Sequence, residues 1–130
     1  MINTLMGIFG WFKTNIYATR PQDPDVYYHP RRYDQTKGEV VRLLREVIHG
    51  LPGWKFVEYR ENQGLLHVTH SGWFPGFVQD IHLYIIHGLD GFSTLEIISR
   101  SRTNGGDFGQ NKRNIKSLLN RMDTKIVSSR

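Results

Sequence analysis

Apolar and polar residues follow a helical period in the first well-defined segment of the chain. Apolar residues recur every three or four positions across residues 40–48, which predicts an amphipathic helix. Thr36 and Glu39 have the spacing of a capping box at its start, and Gly50 predicts its end. We therefore expect a helix that begins near Thr36 and ends near Gly50.

Four strands are predicted after this helix. Trp54–Arg60 and Leu65–Ser71 are rich in β-branched and aromatic residues, and residues 61–64 between them contain the Asn and Gly of a tight hairpin. Residues 80–87 and 92–102 alternate between apolar and polar side chains, which is typical of strands with one buried face.

The hairpin formed by the last two strands has a predicted register. A three-residue loop that ends in Gly91 pairs residues whose numbers sum to 180, so that Leu83 lies opposite Ile97. A loop longer by one residue would place a glutamate opposite a buried leucine. We therefore expect the shorter loop.

A second helix is predicted from about Gln110 to Met122. Its apolar stripe contains Ile115, Leu118, Leu119 and Met122. Asn111 falls within this stripe and needs hydrogen-bond partners inside the fold. The order of elements predicts an α+β domain in which a mainly antiparallel sheet of about four strands packs two main helices on one face.

The N-terminal part of the chain has a different pattern. Met1–Phe12 is apolar, but it is shorter than the roughly 18 residues of a membrane span and lacks the flanking residues of a signal peptide. It fits a short docking helix or an interfacial membrane anchor. The prolines of Arg20–Tyr33 predict an extended arm or loop. We expect residues 1–35 to form this segment and arm, 36–127 the domain, and 128–130 a tail.

Composition narrows the class of protein. The 130 residues fit one domain, and 17 Lys and Arg against 12 Asp and Glu give a net charge of +5. Absence of cysteine excludes disulfides, thiolate metal sites, iron–sulfur clusters and cysteine nucleophiles. His67 and His70 would point to opposite faces of a strand and could not chelate one ion, so we expect no metal site. We also expect no cofactor.

Two segments carry recognisable motifs. Ser99–Ile115 contains Ser-x-Ser-Arg followed by Asp-Phe-Gly-x-Asn and a basic helix, and Phe77–Ile81 reads Phe-Val-Gln-Asp-Ile. These segments resemble the domain-of-unknown-function 1499 family, which has Asp-Leu-Gly-x-Asn and Phe-x-Asp-Asp-Val at these places. Gln79 replaces the first acid, while Ile98 and Asn104 replace an Arg and a Gly. The family's cysteine-containing N-terminal motif is absent. Because the family has no established activity, the resemblance implies a fold and a site location.

Two groups of side chains are candidates for a functional site. The predicted register puts Asp80 opposite Arg100 and diagonal to Arg102, near the glycine-rich start of the last helix. The first group is a polar constellation of Asp80, Ser101, Arg102, Asp107 and Asn111. It can serve as a helix cap and strand tie, or it can border an anion site at the helix N-terminus. The second group, for an anionic ligand or partner, is Arg100, Lys112, Arg113 and Lys116.

Three functional hypotheses follow. The first is a non-catalytic binding or accessory domain for an anionic ligand or an acidic protein partner. The second is a membrane-peripheral protein anchored by residues 1–12, and the third is a small hydrolase that uses Asp80 or Asp107. Nucleic acid is not an expected partner, because aromatic residues do not alternate with the basic ones. We expect a cytoplasmic or membrane-peripheral location in preference to secretion.

Overall fold

A computed structural model describes residues 15–72, 76–102 and 109–128. The strands in these ranges are β1, Ile16–Ala18; β2, Arg31–Tyr33; β3, Trp54–Arg60; β4, Leu65–Ser71; β5, Val78–His87; and β6, Ser93–Ser101. The α-helices are α1, Lys37–Gly50, and α2, Gln110–Ser128. These ranges therefore have the predicted α+β architecture, with two α-helices.

The strands form one antiparallel sheet in the order β1-β6-β5-β4-β3, with β2 also paired to β6. The described residues contain six strands, so the prediction of about four was too low. Both additional strands lie in or beside the segment predicted to be an extended arm. Each has only three residues. A segment of that length is too short to show the alternation by which strands are recognised.

The predicted register of the β5–β6 hairpin is confirmed. Leu83 pairs with Ile97, and Asp80 pairs with Arg100. Gly91 has a φ of 87°, a left-handed conformation that glycine adopts without steric cost. The loop is closed by a 2.8 Å hydrogen bond from the Gly88 N–H to the Phe92 carbonyl.

Both predicted helices are present. The Thr36 hydroxyl accepts a 3.2 Å hydrogen bond from the Glu39 N–H, as an N-cap does, and α1 ends at Gly50. Helix α2 extends beyond Met122 because Ile126 continues its buried stripe. Neither described helix has the length and hydropathy that crossing a bilayer requires.

The two helices pack on one face of the sheet around a single apolar core. Alternate residues of β5 and β6, such as Leu83 and Ile97, point into this core and are fully buried. Tyr28 and Tyr33 from the N-terminal arm belong to the same core. Their aromatic rings are largely apolar and extend the core beneath β1 and β2.

The residues between the buried ones face the opposite side of the sheet, which we call the open face. His67, His82 and Tyr84 lie there and are half-buried. Within the described ranges, no helix lies over these side chains. The described residues therefore form two layers, one of helices and one of strands.

Candidate functional site

The strand geometry divides the predicted polar constellation between two sides of the sheet. Ser101 is the last residue of β6, and Arg102 follows it with its N–H still bonded to the Val78 carbonyl of β5, so the two side chains point to opposite faces. Ser101 and Asn111 meet on the helix side, where the Asn111 Nδ2 donates a 3.0 Å hydrogen bond to the Ser101 Oγ. Asp80 and Arg102 meet on the open face. These four residues therefore do not form one site.

Asn111 is buried completely at the start of α2, as the helical pattern predicts for an inward position. Its Oδ1 accepts a 2.7 Å hydrogen bond from the Ser99 Oγ, while its Nδ2 bonds to Ser101. Both hydroxyls come from β6. The amide consequently ties the first turn of α2 to the end of the sheet, which is a structural role.

Asn114 and Gln79 extend this buried network. The Asn114 Nδ2 donates to the Gln79 Oε1 at 3.2 Å and to the Ser99 Oγ at 3.3 Å, and Gln110 donates to the Asn114 Oδ1. The Gln79 Oε1 also lies 2.6 Å from the His70 Nδ1. Because these polar groups satisfy one another, they hold the helix on the sheet and leave little hydrogen-bonding capacity for a ligand.

Asp80 is held on the open face by two partners. Arg102 Nε lies 2.8 Å from the Asp80 Oδ2, Arg102 Nη2 lies 2.9 Å from Oδ1, and the His67 Nε2 also lies 2.9 Å from Oδ1. The hydrogen bonds from Arg102, followed by that from His67, lower the pKa of Asp80 to about 2 despite partial burial. The carboxylate is therefore ionised throughout the neutral range.

The two histidines at the centre of the open face stack on each other. Their ring centroids are 4.5 Å apart and the planes of His67 and His82 differ by 14°. Burial, and secondarily the neighbouring His67, lowers the pKa of His82. His70 lies on the helix side, as the alternation of the strand requires. No group of three potential metal-ligating side chains occurs in the part of the chain that the structure describes.

Two sequence predictions fall on residues outside the described ranges. Asp107, proposed as a cap or anion-site residue, is one of them, and so is the apolar segment of residues 1–12. The proposed cap and the proposed membrane anchor therefore stay predictions.

The predicted basic residues also lie on different sides of the molecule. Arg100 is exposed on the open face, whereas Lys112, Arg113 and Lys116 are exposed on α2. The Lys112 ammonium lies 5.0 Å from the Tyr28 ring centroid, in a cation–π contact. A single flat ligand cannot contact Arg100 and the α2 residues together, so they do not form one binding patch.

A groove of about 710 Å³ lies between α1 and β3. Apolar side chains form the floor of the groove, and charged side chains lie at its rim. The lining residues are Arg45, Glu46, Ile48, His49, Trp54, Lys55 and Phe56. Phe56 is 41% exposed, an unusual position for a large aromatic side chain. We call this feature the α1–β3 groove.

The local sequence explains why the groove forms here. Arg45, Ile48 and His49 lie within one turn of α1, and Trp54 and Phe56 point to the same side of β3 because they are two residues apart. Only three residues, 51–53, connect the two elements. Gly53, within this three-residue loop, has a φ of 82°, and a Cβ atom on it would lie 2.4 Å from the Ser71 carbonyl oxygen. Glycine therefore allows the close approach of the loop to the end of β4.

The rim of the groove is cationic. The Arg45 guanidinium lies 4.3 Å from the Phe56 ring centroid, and Lys55, which is exposed and projects from the opposite face of β3, also borders the groove. Glu46 is the acidic residue of the lining, but it already pairs with Arg42 and, at 3.2 Å, with Lys125. The unneutralised charge around the groove is therefore positive.

Sequence reasoning predicted α1 and β3 but missed the groove between them. The available signal was the pair Phe56-Val57, because two adjacent apolar residues break the alternation of a strand. The structure has a register shift between Phe56 and Glu58, and Val57 is 50% exposed there. The adjacent apolar residues Phe56 and Val57 thus indicated an exposed apolar part of β3.

Comparison with known proteins places the chain in a family. The model of the family described as Protein of unknown function (DUF1499) matches residues 12–122. None of the curated proteins compared with the chain matches it. The crystal structure of TTHA0849 from Thermus thermophilus is similar, with 11% sequence identity and a TM-score of 0.41, over 77% of this chain and 95% of that one. Because the family model covers most of the chain, this protein belongs to the DUF1499 family.

Proposed function

We propose that the protein is a non-catalytic binding domain, and that the α1–β3 groove binds an acidic segment of a protein partner. The observation that carries this proposal is the combination of an exposed aromatic ring, that of Phe56, with a cationic rim. Small-molecule and peptide sites commonly have this composition, in which apolar contacts supply affinity and a few polar groups supply orientation.

The groove offers both kinds of contact. The exposed Phe56 ring can bury apolar side chains of the partner, at roughly 25 cal/mol per Å² of apolar area removed from water. Arg45 and Lys55 can pair with carboxylates, which would also speed encounter with an acidic partner. The net charge of +5 acts in the same direction.

The other candidate sites support a ligand less well. The network around Asn111 is occupied by its own hydrogen bonds. Asp80 is engaged by Arg102 and His67, and a carboxyl with a pKa of about 2 is a weak base at neutral pH. This environment argues against the hydrolase hypothesis at Asp80.

A direct binding measurement tests the proposal. The probe is a fluorescein-labelled peptide of alternating glutamate and valine, about eight residues long, titrated with the full chain and followed by fluorescence anisotropy. We expect saturable binding, and Lys55→Glu should weaken it about tenfold because the variant places a like charge against the peptide.

The matched control is Lys116→Glu, which makes the same change of charge on the exposed side of α2. We expect that variant to bind within about twofold of the unmodified protein. Equal loss in the two variants would show that binding depends on net charge and not on the groove. Lack of saturable binding to the peptide would also overturn the proposal.

A further inference from the structure

We infer that the acidic segment binds as an additional strand, paired through its backbone to the free edge of β3 beside the groove. This inference rests on the proposed function and adds the mode of binding and the pattern of the partner. Addition of a strand to an exposed sheet edge is a recurrent way of binding extended peptides.

The two edges of the sheet differ. The edge of β6 is covered along its length by β1, by β2, and by Thr19 between them, whose N–H donates to the Ile97 carbonyl at 2.9 Å. In the described part of the chain, β3 pairs with β4 alone, so its other side is open. The groove lies along this open side.

The register of β3 identifies the backbone groups that face the open edge. The Ser71 N–H donates to the Gly53 carbonyl at 2.9 Å, and Lys55 pairs with Thr69. Hydrogen-bonded and non-hydrogen-bonded pairs alternate in an antiparallel ladder. The N–H and C=O of Phe56, which lies one residue beyond Lys55, therefore point away from β4 and toward the open edge.

The bulge at Val57 limits how much of the edge a partner can use. It shifts the register between Phe56 and Glu58, and bulges are a common protection against pairing along a whole edge. The Trp54 N–H is also engaged, since it donates to the Leu51 carbonyl at 3.2 Å. Before the bulge, the groups left for a partner are thereby the N–H and C=O of Phe56 and the C=O of Trp54, which favours a short segment over a long strand.

The side chains around this edge define the partner's sequence pattern. On the helix side, an added strand would meet the exposed, apolar Phe56 ring. On the open face it would meet Lys55, which projects opposite to Phe56. Since alternate side chains of a strand point to opposite faces, the matching partner alternates apolar and acidic residues.

A backbone-methylation series of the alternating glutamate–valine peptide tests this mode of binding. N-methylation removes one amide donor and crowds one edge of the peptide while leaving its charge unchanged. We expect an affinity loss of about tenfold or more at alternate positions near the centre, and about twofold or less at the positions between them. Equal effects at successive positions, or none at any position, would overturn strand addition.

Variants of Phe56 provide the matching test on the protein. Phe56→Pro removes the N–H that faces the open edge, a place where a sheet tolerates proline, whereas Phe56→Ala removes the ring and keeps the N–H. We expect Phe56→Pro to weaken binding at least about fivefold more than Phe56→Ala. Equal affinities for the two folded variants would contradict the inference, and the peptide series decides the matter if Phe56→Pro does not fold.

The outcomes separate this inference from the proposed function. If the unmodified peptide binds and Lys55→Glu weakens binding, but methylation has no alternating effect, the groove binds acidic segments through side chains alone. If the unmodified peptide does not bind, the proposed function itself fails, and strand addition fails with it.

Discussion

Asn111 is the buried polar residue on which the junction between α2 and the sheet depends most directly. It is fully buried and joins the hydroxyls of Ser99 and Ser101. We expect Asn111→Ala to lower the free energy of unfolding by about 1–3 kcal/mol, because it removes the acceptor of the buried Ser99 hydroxyl and the donor to the buried Ser101 hydroxyl. Urea unfolding followed by circular dichroism measures the change.

Ser117 supplies the control for this substitution. It lies on the exposed side of the same helix, so Ser117→Ala should change the free energy of unfolding by less than about 0.5 kcal/mol. A loss in Asn111→Ala no larger than in Ser117→Ala would show that the buried network contributes nothing to stability.

Asp80 makes stability depend on pH in the acid range. Its pKa is lowered from 3.8 to about 2 in the folded protein, so the unfolded chain binds the proton more readily. The stabilisation is fully present above about pH 4 and is lost as the pH falls toward 2. At neutral pH we expect Asp80→Asn to cost about 1 kcal/mol, since Arg102 is half exposed and solvent screens the pair.

Urea unfolding of the unmodified protein and Asp80→Asn across the acid range tests this expectation. The difference in the free energy of unfolding should shrink as the pH is lowered from about 5 to about 2. A difference that stays constant with pH would mean that the ion pair with Arg102 does not stabilise the fold.

The orientation of a single side chain was predictable from the sequence where it depended on the periodicity of one helix or one hairpin. The helical period alone predicted that Asn111 points inward, and the hairpin register predicted the diagonal contact between Asp80 and Arg102. Grouping Ser101 with Arg102 in one constellation overlooked the alternation of a strand, which separates adjacent residues.

Among the elements, the β5–β6 hairpin has a register that depends on the left-handed backbone conformation of Gly91 in its loop. This residue has a φ of 87° and nothing lies within 4 Å of the place of a Cβ atom, so an alanine there would be opposed by backbone strain and not by a clash. We expect Gly91→Ala to lower the free energy of unfolding by about 1 kcal/mol.

Gly38, in the first turn of α1, is the contrasting case. It also has free space around the Cβ position, and its backbone is helical. Gly38→Ala should therefore raise the free energy of unfolding by about 0.4–1 kcal/mol. Thermal unfolding of both variants tests the opposite signs, and a change of the same sign in both would contradict the explanation.

Long elements were predictable because their residues repeat a pattern, whereas short elements were not. The bounds of β3 and β4 follow from their composition and the turn between them. Strands β1 and β2 depend on β6 as a partner, and their three residues carry little pattern of their own. The groove was likewise missed because it arises from the approach of two elements and not from either sequence alone.

Across the described part of the molecule, exposed cationic side chains occur on the open face, on α2 and at the α1–β3 groove, where the Phe56 ring is also exposed. Binding of the glutamate–valine peptide should therefore weaken severalfold between about 50 and about 500 mM NaCl without being abolished, because salt screens the charges and leaves apolar burial intact. Anisotropy titrations at these salt concentrations measure the effect. Complete loss at high salt would indicate binding by charge alone.

Binding at the α1–β3 groove is tested most directly by a map of amide chemical shifts in the ¹⁵N-labelled full chain during titration with the alternating glutamate–valine peptide. The largest changes should occur in the groove, at residues 45–49 of α1 and 54–57 of β3. A map with its largest changes on α2 around Lys116, on the open face around Arg100, or with no saturable changes would contradict binding at the groove.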